Sequence, residues 1–136
     1  MKSKGEQKIW DLIKNLPKVS QEYVCGAKGF FQKELRYDFH GFYKRKEFLI
    51  EFQGIEHYKF IPFFHKSRAD FQKRQIYDEK KISHALAIGV NLYCIPYWEI
   101  DNINSLEDLF DKKYLARSKN HNYITYEKYQ KSLSAS

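Results

Sequence analysis

The chain has 136 residues, 43% hydrophobic and 18% aromatic, enough for one core and too few for two, which argues against a disordered chain. Lys and Arg number 24 against 17 Asp and Glu, and the net charge of +7 favours a polyanionic partner, because neutralising phosphates releases counterions. No apolar run approaches the roughly 20 residues of a membrane span and the first six residues carry no signal-peptide core, so a cytoplasmic protein with no membrane partner is expected.

Residues 4–16 have Ile9, Trp10, Ile13 and Leu16 at helical spacing, with Pro17 as the stop. Glu6 lies on that apolar stripe, where an acid either serves the helix dipole or faces a site. Residues 18–32 are irregular, broken by Gly26 and Gly29, and Tyr23, Val24 and Cys25 are their best strand core. Residues 35–43 then alternate, with Leu35, Tyr37 and Phe39 expected on one face and Arg36, Asp38 and His40 on the other. A basic turn, Lys44, Arg45 and Lys46, leads to a second strand over 47–53, whose Phe48, Ile50 and Phe52 oppose Leu49, Glu51 and Gln53.

Gly54 ends that strand, and residues 55–65 form an aromatic-rich crossover that contains His57. The spacing predicts a long helix over 67–88 with Phe71, Ile82, Ala85 and Leu86 inward and Gly89 as the stop. Asp78 falls on the inward side with Arg74 and Lys81 a turn away on either hand. Residues 91–96 read as a strand buried on both faces and parallel to the hairpin, which closes a right-handed βαβ unit. Ser105, with Asp108 three residues on, caps a last helix expected to reach about Leu115. Residues 1–116 are read as one domain and 117–136 as a basic, Tyr-rich tail, docked or frayed, suited to packing or to stacking on bases. Cys25 and Cys94 stand too far apart, without further cysteines, to encode a disulfide framework or a zinc site.

Carboxylates inside apolar strands are costly unless a cation or donors compensate, so Asp38 and Glu51 point to a shared divalent ion. The order of helix Glu6, strand Asp38, strand Glu51 with Gln53, then His57, then helix Asp78 and Lys81, resembles the PD-(D/E)XK nuclease superfamily. The local strings around Glu56-His57 and Asp78 resemble most the branch that holds very-short-patch-repair endonucleases and phage-type EDxHD homing endonucleases. That resemblance spans about residues 6–112 and implies an α/β fold, a restriction-endonuclease-like αβββαβ core with a central mixed sheet flanked by helices. Gln53 departs from the pattern, standing where such nucleases usually carry a Lys, and the Cys/His set of the patch-repair zinc site is missing.

The resemblance implies a Mg²⁺-dependent endodeoxyribonuclease of phage-type homing or repair kind, with Mn²⁺ able to substitute. Asp38 and Glu51 would ligate the metal through hard oxygens, and His57 would accept a proton from the attacking water. Lys81 or Arg74 would meet the developing charge, Asp78 would orient His57 or that cation, and Glu6 would close the cluster. DNA is the expected partner, with Lys44, Arg45, Lys46 and Arg74 as backbone contacts and a homodimer left open. A catalytically inactive nucleic-acid-binding module and a DNA-junction resolvase remain the alternatives.

Overall fold

The computed structural model describes residues 2–25 and 34–135. Ser3 starts the first helix, α1 (Lys4–Ile13), because its hydroxyl accepts the Glu6 N–H at 3.2 Å. The helix ends three residues before the expected stop. Pro17 has no N–H to give and disfavours helical geometry at Leu16, so the chain leaves through a turn in which Leu16 N–H reaches the Ile13 carbonyl. Gly5 sits on the Phe52 ring, where any Cβ would collide, and this close approach seats Glu6 beside the sheet.

Four strands form one mixed sheet in the order β1-β2-β3-β4: β1 (Ser20–Cys25), β2 (Leu35–Tyr43), β3 (Lys46–Gln53) and β4 (Asn91–Pro96). The first three run antiparallel and β4 lies parallel to β3, with Glu51 opposite Cys94 and Gln53 opposite Pro96. Gly26 and Gly29 fall outside the described residues. The hairpin turn is two residues long rather than three: Lys44 and Arg45 adopt φ of 50° and 68°, the left-handed pair that matches strand twist, and Lys46 already belongs to β3.

The expected alternation of β2 fails at Asp38. Tyr37 packs on one side of the sheet with Leu49 and Ile82, while Phe39 packs on the other with Ile50 and stacks on Trp10 of α1. His40 stacks on Tyr23, back on the Tyr37 side. Across the ladder, Glu22 has φ 52°, between the pairs Gln21–Phe39 and Tyr23–Tyr37. Both strands therefore kink at the level of Asp38, which re-aims its side chain.

The β3–β4 crossover is α2 (Arg68–Ile88), capped by Ser67 and ended by Gly89 at φ 72°. Ile82 and Ala85 face the sheet as expected, but Leu86 is 45% exposed. Leu86 stands one residue, about 100°, round the helix from the buried Ala85, at the margin of the inward stripe of Asp78, Lys81, Ile82 and Ala85. Helices thus cover both faces of the sheet, α1 with α3 (Leu106–Leu109) on one and α2 on the other.

The helix expected up to Leu115 stops at Leu109. Asp111 accepts the Lys113 N–H at 2.9 Å and starts a separate 3-10 turn, Lys112–Tyr114, after which Ala116 N–H joins the Leu92 carbonyl at the sheet. The tail is a helix, α4 (His121–Ser134), and it packs through rings: Tyr129 lies 4.2 Å from Trp98 at 5° and Tyr126 lies 5.3 Å from Tyr58. No helix among the described residues is long and apolar enough to cross a membrane.

Candidate active site

The C-terminal end of β3 opens into a cleft of about 500 Å³ whose walls come from five elements. Strand β2 brings Asp38, β3 brings Glu51, the 3-10 turn Ile55–His57 brings His57, and α2 brings Arg74 and Lys81. Glu6 reaches it from α1. Sequence reasoning had these residues as separate suspects in separate elements, and the fold gathers them around one space.

Its chemistry is a chain of charged contacts. Lys81 Nζ donates to Glu51 Oε1 at 2.9 Å and stands 4.0 Å from Asp78 Oδ1, and all three side chains are buried. Asp78 Oδ2 lies 2.8 Å from His57 Nδ1, and His57 Nε2 is 3.7 Å from Glu56 Oε1. Asp38 Oδ2 accepts the Phe52 N–H at 2.8 Å, a bond that takes the place of a ladder carbonyl beyond the Phe39–Ile50 pair. The α2 backbone is pinned at this level by Tyr37, whose hydroxyl donates to the Lys81 carbonyl at 2.9 Å.

Three carboxylates face one ammonium, so negative charge is in excess, and the ionisation of each group reflects this. Burial, then the neighbouring Glu51, pushes Asp38 from 3.8 up to about 7, against smaller opposite pulls from Phe52, Lys81 and His57. Burial also raises Glu51, only partly offset by Lys81. For Lys81 burial works against the charged form, but Glu51 and Asp78 outweigh it and its pKa rises, so the ammonium is retained. Glu6 is raised by burial and then by Asp38, which places it within the field of the same cluster.

Among the described residues no group of three or more His, Cys, Asp and Glu side chains stands together as a ready metal cage. The donor set still suits Mg²⁺, which is commonly held by one or two carboxylates with waters and substrate phosphate completing six oxygens. Asp38 and Glu51 are two neighbouring hard-oxygen donors, both raised first by burial, so a divalent cation would favour the ionised form of each.

Other expected residues lie elsewhere. Gln53 is buried and its Oε1 accepts from the Tyr58 hydroxyl, so its side chain turns away from the cleft. Lys44, Arg45 and Lys46 sit at the hairpin end, five residues and roughly 17 Å of strand beyond Asp38, and only Arg74 of the expected DNA contacts lines the cleft. His40 is occupied by the Glu47 carboxylate at 2.7 Å and does not line the cleft. The sequence places Glu56 only as the neighbour of His57 in the motif and gives Arg36 and Tyr77 no role, yet all three line the cleft. Gly54 is the one signal for Glu56: a methyl there would meet the Glu56 carboxylate at 2.5 Å, so the glycine lets Glu56 curl back over the turn.

No family model matches the chain, and no solved structure matches it. The chain is similar to "Uncharacterized protein 307L" of Invertebrate iridescent virus 6, 42% identical over 48 residues, which is 35% of this chain and 24% of that protein. It thus spans about a quarter of the length of that relative.

Proposed function

We propose that the protein is a metal-dependent DNA endonuclease of the restriction-endonuclease-like kind, hydrolysing phosphodiester bonds in the cleft between Asp38 and His57. The observation that carries this reading is the line of neighbours Asp38, Glu51, Lys81, Asp78, His57, assembled from four elements, with all but the buried Asp78 lining one cleft. The order α1, β1 to β3, α2, β4 supports the αβββαβ assignment, and the net charge of +7 suits a polyanionic substrate.

Each residue then has a task. With the Nδ1 proton of His57 given to Asp78, Nε2 is left as the acceptor for a proton from the attacking water. Asp78 keeps the ring in that tautomer and orientation and stabilises the imidazolium that forms. Lys81 offers its positive charge beside Glu51, where negative charge builds on the phosphoryl oxygens, and so fills from α2 the place that Gln53 leaves without a cation. A bound Mg²⁺ or Mn²⁺, held by Asp38 and Glu51, would supply Lewis-acid stabilisation of the phosphate. Glu6 and Glu56 rim the site and complete its acidic wall.

The test is incubation of the purified protein with supercoiled, linear and branched DNA in Mg²⁺ or Mn²⁺, beside Asp38→Ala. Nicking by the wild type and none by the variant is the expected result. DNA binding without nicking would leave the inactive binding module, and nicking untouched by Asp38→Ala would move the site elsewhere. Preference for four-way junctions would make it a resolvase.

A further inference from the structure

A second, larger groove opens directly from the candidate active site. It runs along the outer face of α2, with a volume of about 1,110 Å³, and shares Arg36, Phe64, Arg74 and Tyr77 with the cleft. Its cations are Arg36, Lys66, Lys73, Arg74 and Lys80, against the acids Glu34 and Asp70. Lys66, Asp70, Lys73, Tyr77 and Lys80 recur at steps of three and four, so α2 and its lead-in present one stripe along the groove rather than scattered charge.

The groove is also aromatic. Phe64 is 55% exposed at the junction of groove and cleft, and Phe63, 89% exposed, stands edge-on to it at 5.0 Å. Large apolar rings left in water beside a cationic stripe need an aromatic, anionic partner to be covered. Tyr77 holds the groove's floor together: its hydroxyl donates to the Glu34 carbonyl at 3.4 Å and accepts the Arg36 N–H at 3.1 Å, which ties β2 to α2.

We infer that this groove binds a single-stranded segment of DNA next to the cleavage point, its phosphates along Lys66, Lys73 and Arg74 and a base stacked on Phe64. The inference rests on the endonuclease reading and extends it to a substrate class, DNA with an unpaired strand beside the scissile bond. A duplex buries its base faces in its own stack and offers Phe64 nothing to cover it. An unpaired strand presents both the faces and the phosphates, which is the usual pairing of aromatic platforms with a positive groove.

The experiment is fluorescence anisotropy of the full chain, in Ca²⁺ to hold back cleavage, with a labelled single-stranded oligonucleotide, the matching duplex and a single-stranded RNA. The variants are Phe64→Ala, Lys73→Glu and, as a charge control on α4, Lys128→Glu, each checked for folding by circular dichroism. Expected is an affinity loss of about tenfold for single-stranded DNA with either groove variant and little with Lys128→Glu, the duplex responding less to Phe64→Ala. Lys73→Glu should also flatten the salt dependence by about one unit of slope. Equal loss on strand and duplex from Lys73→Glu, with Phe64→Ala silent, would overturn the inference in favour of a duplex backbone patch. Stronger binding of RNA would overturn the DNA assignment. Groove-dependent binding without any nicking removes the nuclease reading alone, whereas nicking with binding indifferent to both groove variants removes the groove alone.

Discussion

Lys81 and Glu51 form a buried ion pair at 2.9 Å that joins the crossover helix to the central strand at the floor of the cleft. Gln53 at the end of β3 is bound by Tyr58, and the buried cation beside Glu51 comes from α2. Lys81→Met should lower DNA nicking by about 100-fold or more. It should also destabilise the fold by about 3–5 kcal/mol, since Glu51 and Asp78 would be left buried without their partner. Adding Gln53→Lys to that variant should not restore nicking, because a side chain at 53 is directed at Tyr58; rescue of the nicking rate would show the opposite.

Asp38 gives the site a pH signature. Its pKa of about 7 lies above the ordinary 3.8, so between those values the folded chain holds a proton that the unfolded chain has released. The group's contribution to stability is therefore fully present below about pH 4 and is lost as the pH rises through about 7, and the raised Glu51 acts in the same direction. A divalent cation requires the ionised form. In thermal melts the metal-free protein should weaken from about pH 5 to about pH 8, and Mg²⁺ should raise Tm more at about pH 8 than at about pH 6. At a hundredfold excess over Kd the gain is about 2.7 kcal/mol, a shift of several degrees. Asp38→Asn should reduce the pH dependence of the Mg²⁺ effect, leaving only the part that Glu51 carries, and a wild-type shift that is the same at both pH values would count against the site.

Much of this was legible in the chain and the reasons are physical. Asp38 and Glu51 were visible because carboxylates are costly within apolar strands, and Asp78 and Lys81 because an inward helix face with charges needs partners. The face exchange at Asp38 was not legible, since counting by twos assumes an unbroken pleat, and here two facing strands kink together at Glu22 and Asp38. The placement of Gln53 and Lys81 was equally hidden: they lie 28 positions apart, and only the packing of α2 on the sheet shows that Gln53 meets Tyr58 while the Lys81 ammonium meets Glu51. Helix α4 escaped because rings on other elements hold it, Trp98 and Tyr58, while its own apolar pattern is weak.

The contact between His57 and Asp78 should behave as an orienting pair. Asp78→Asn keeps the shape but loses the charge and can hold the ring in the wrong tautomer, so single-turnover cleavage should fall by about 100-fold to 10,000-fold. The pH profile separates orientation from mere structure. The acid limb, where protonation of the base lowers the rate, should shift or vanish in Asp78→Asn while the melting transition remains cooperative. A normal rate with an unchanged profile would remove His57 as the base.

Helix α4 covers the rear of that pair. His57, Asp78, Asn122 and Tyr126 border a small, partly open pocket of about 60 Å³ between α2 and α4, so α4 covers part of the rear of the imidazole, which is buried overall. Tyr126 stacks on Tyr58, the residue next to His57, whereas Tyr129 stacks on Trp98 further from the site. The two rings should therefore separate stability from activity. Tyr129→Ala should cost about 1–3 kcal/mol in a denaturant melt and leave the nicking rate well below Tm near that of the wild type. Tyr126→Ala should cost a similar amount and in addition slow nicking by about tenfold, because water reaching the rear of His57 competes for the Asp78 carboxylate. If both variants slow nicking equally at matched stability, α4 acts on the fold as a whole and not through the wall behind His57.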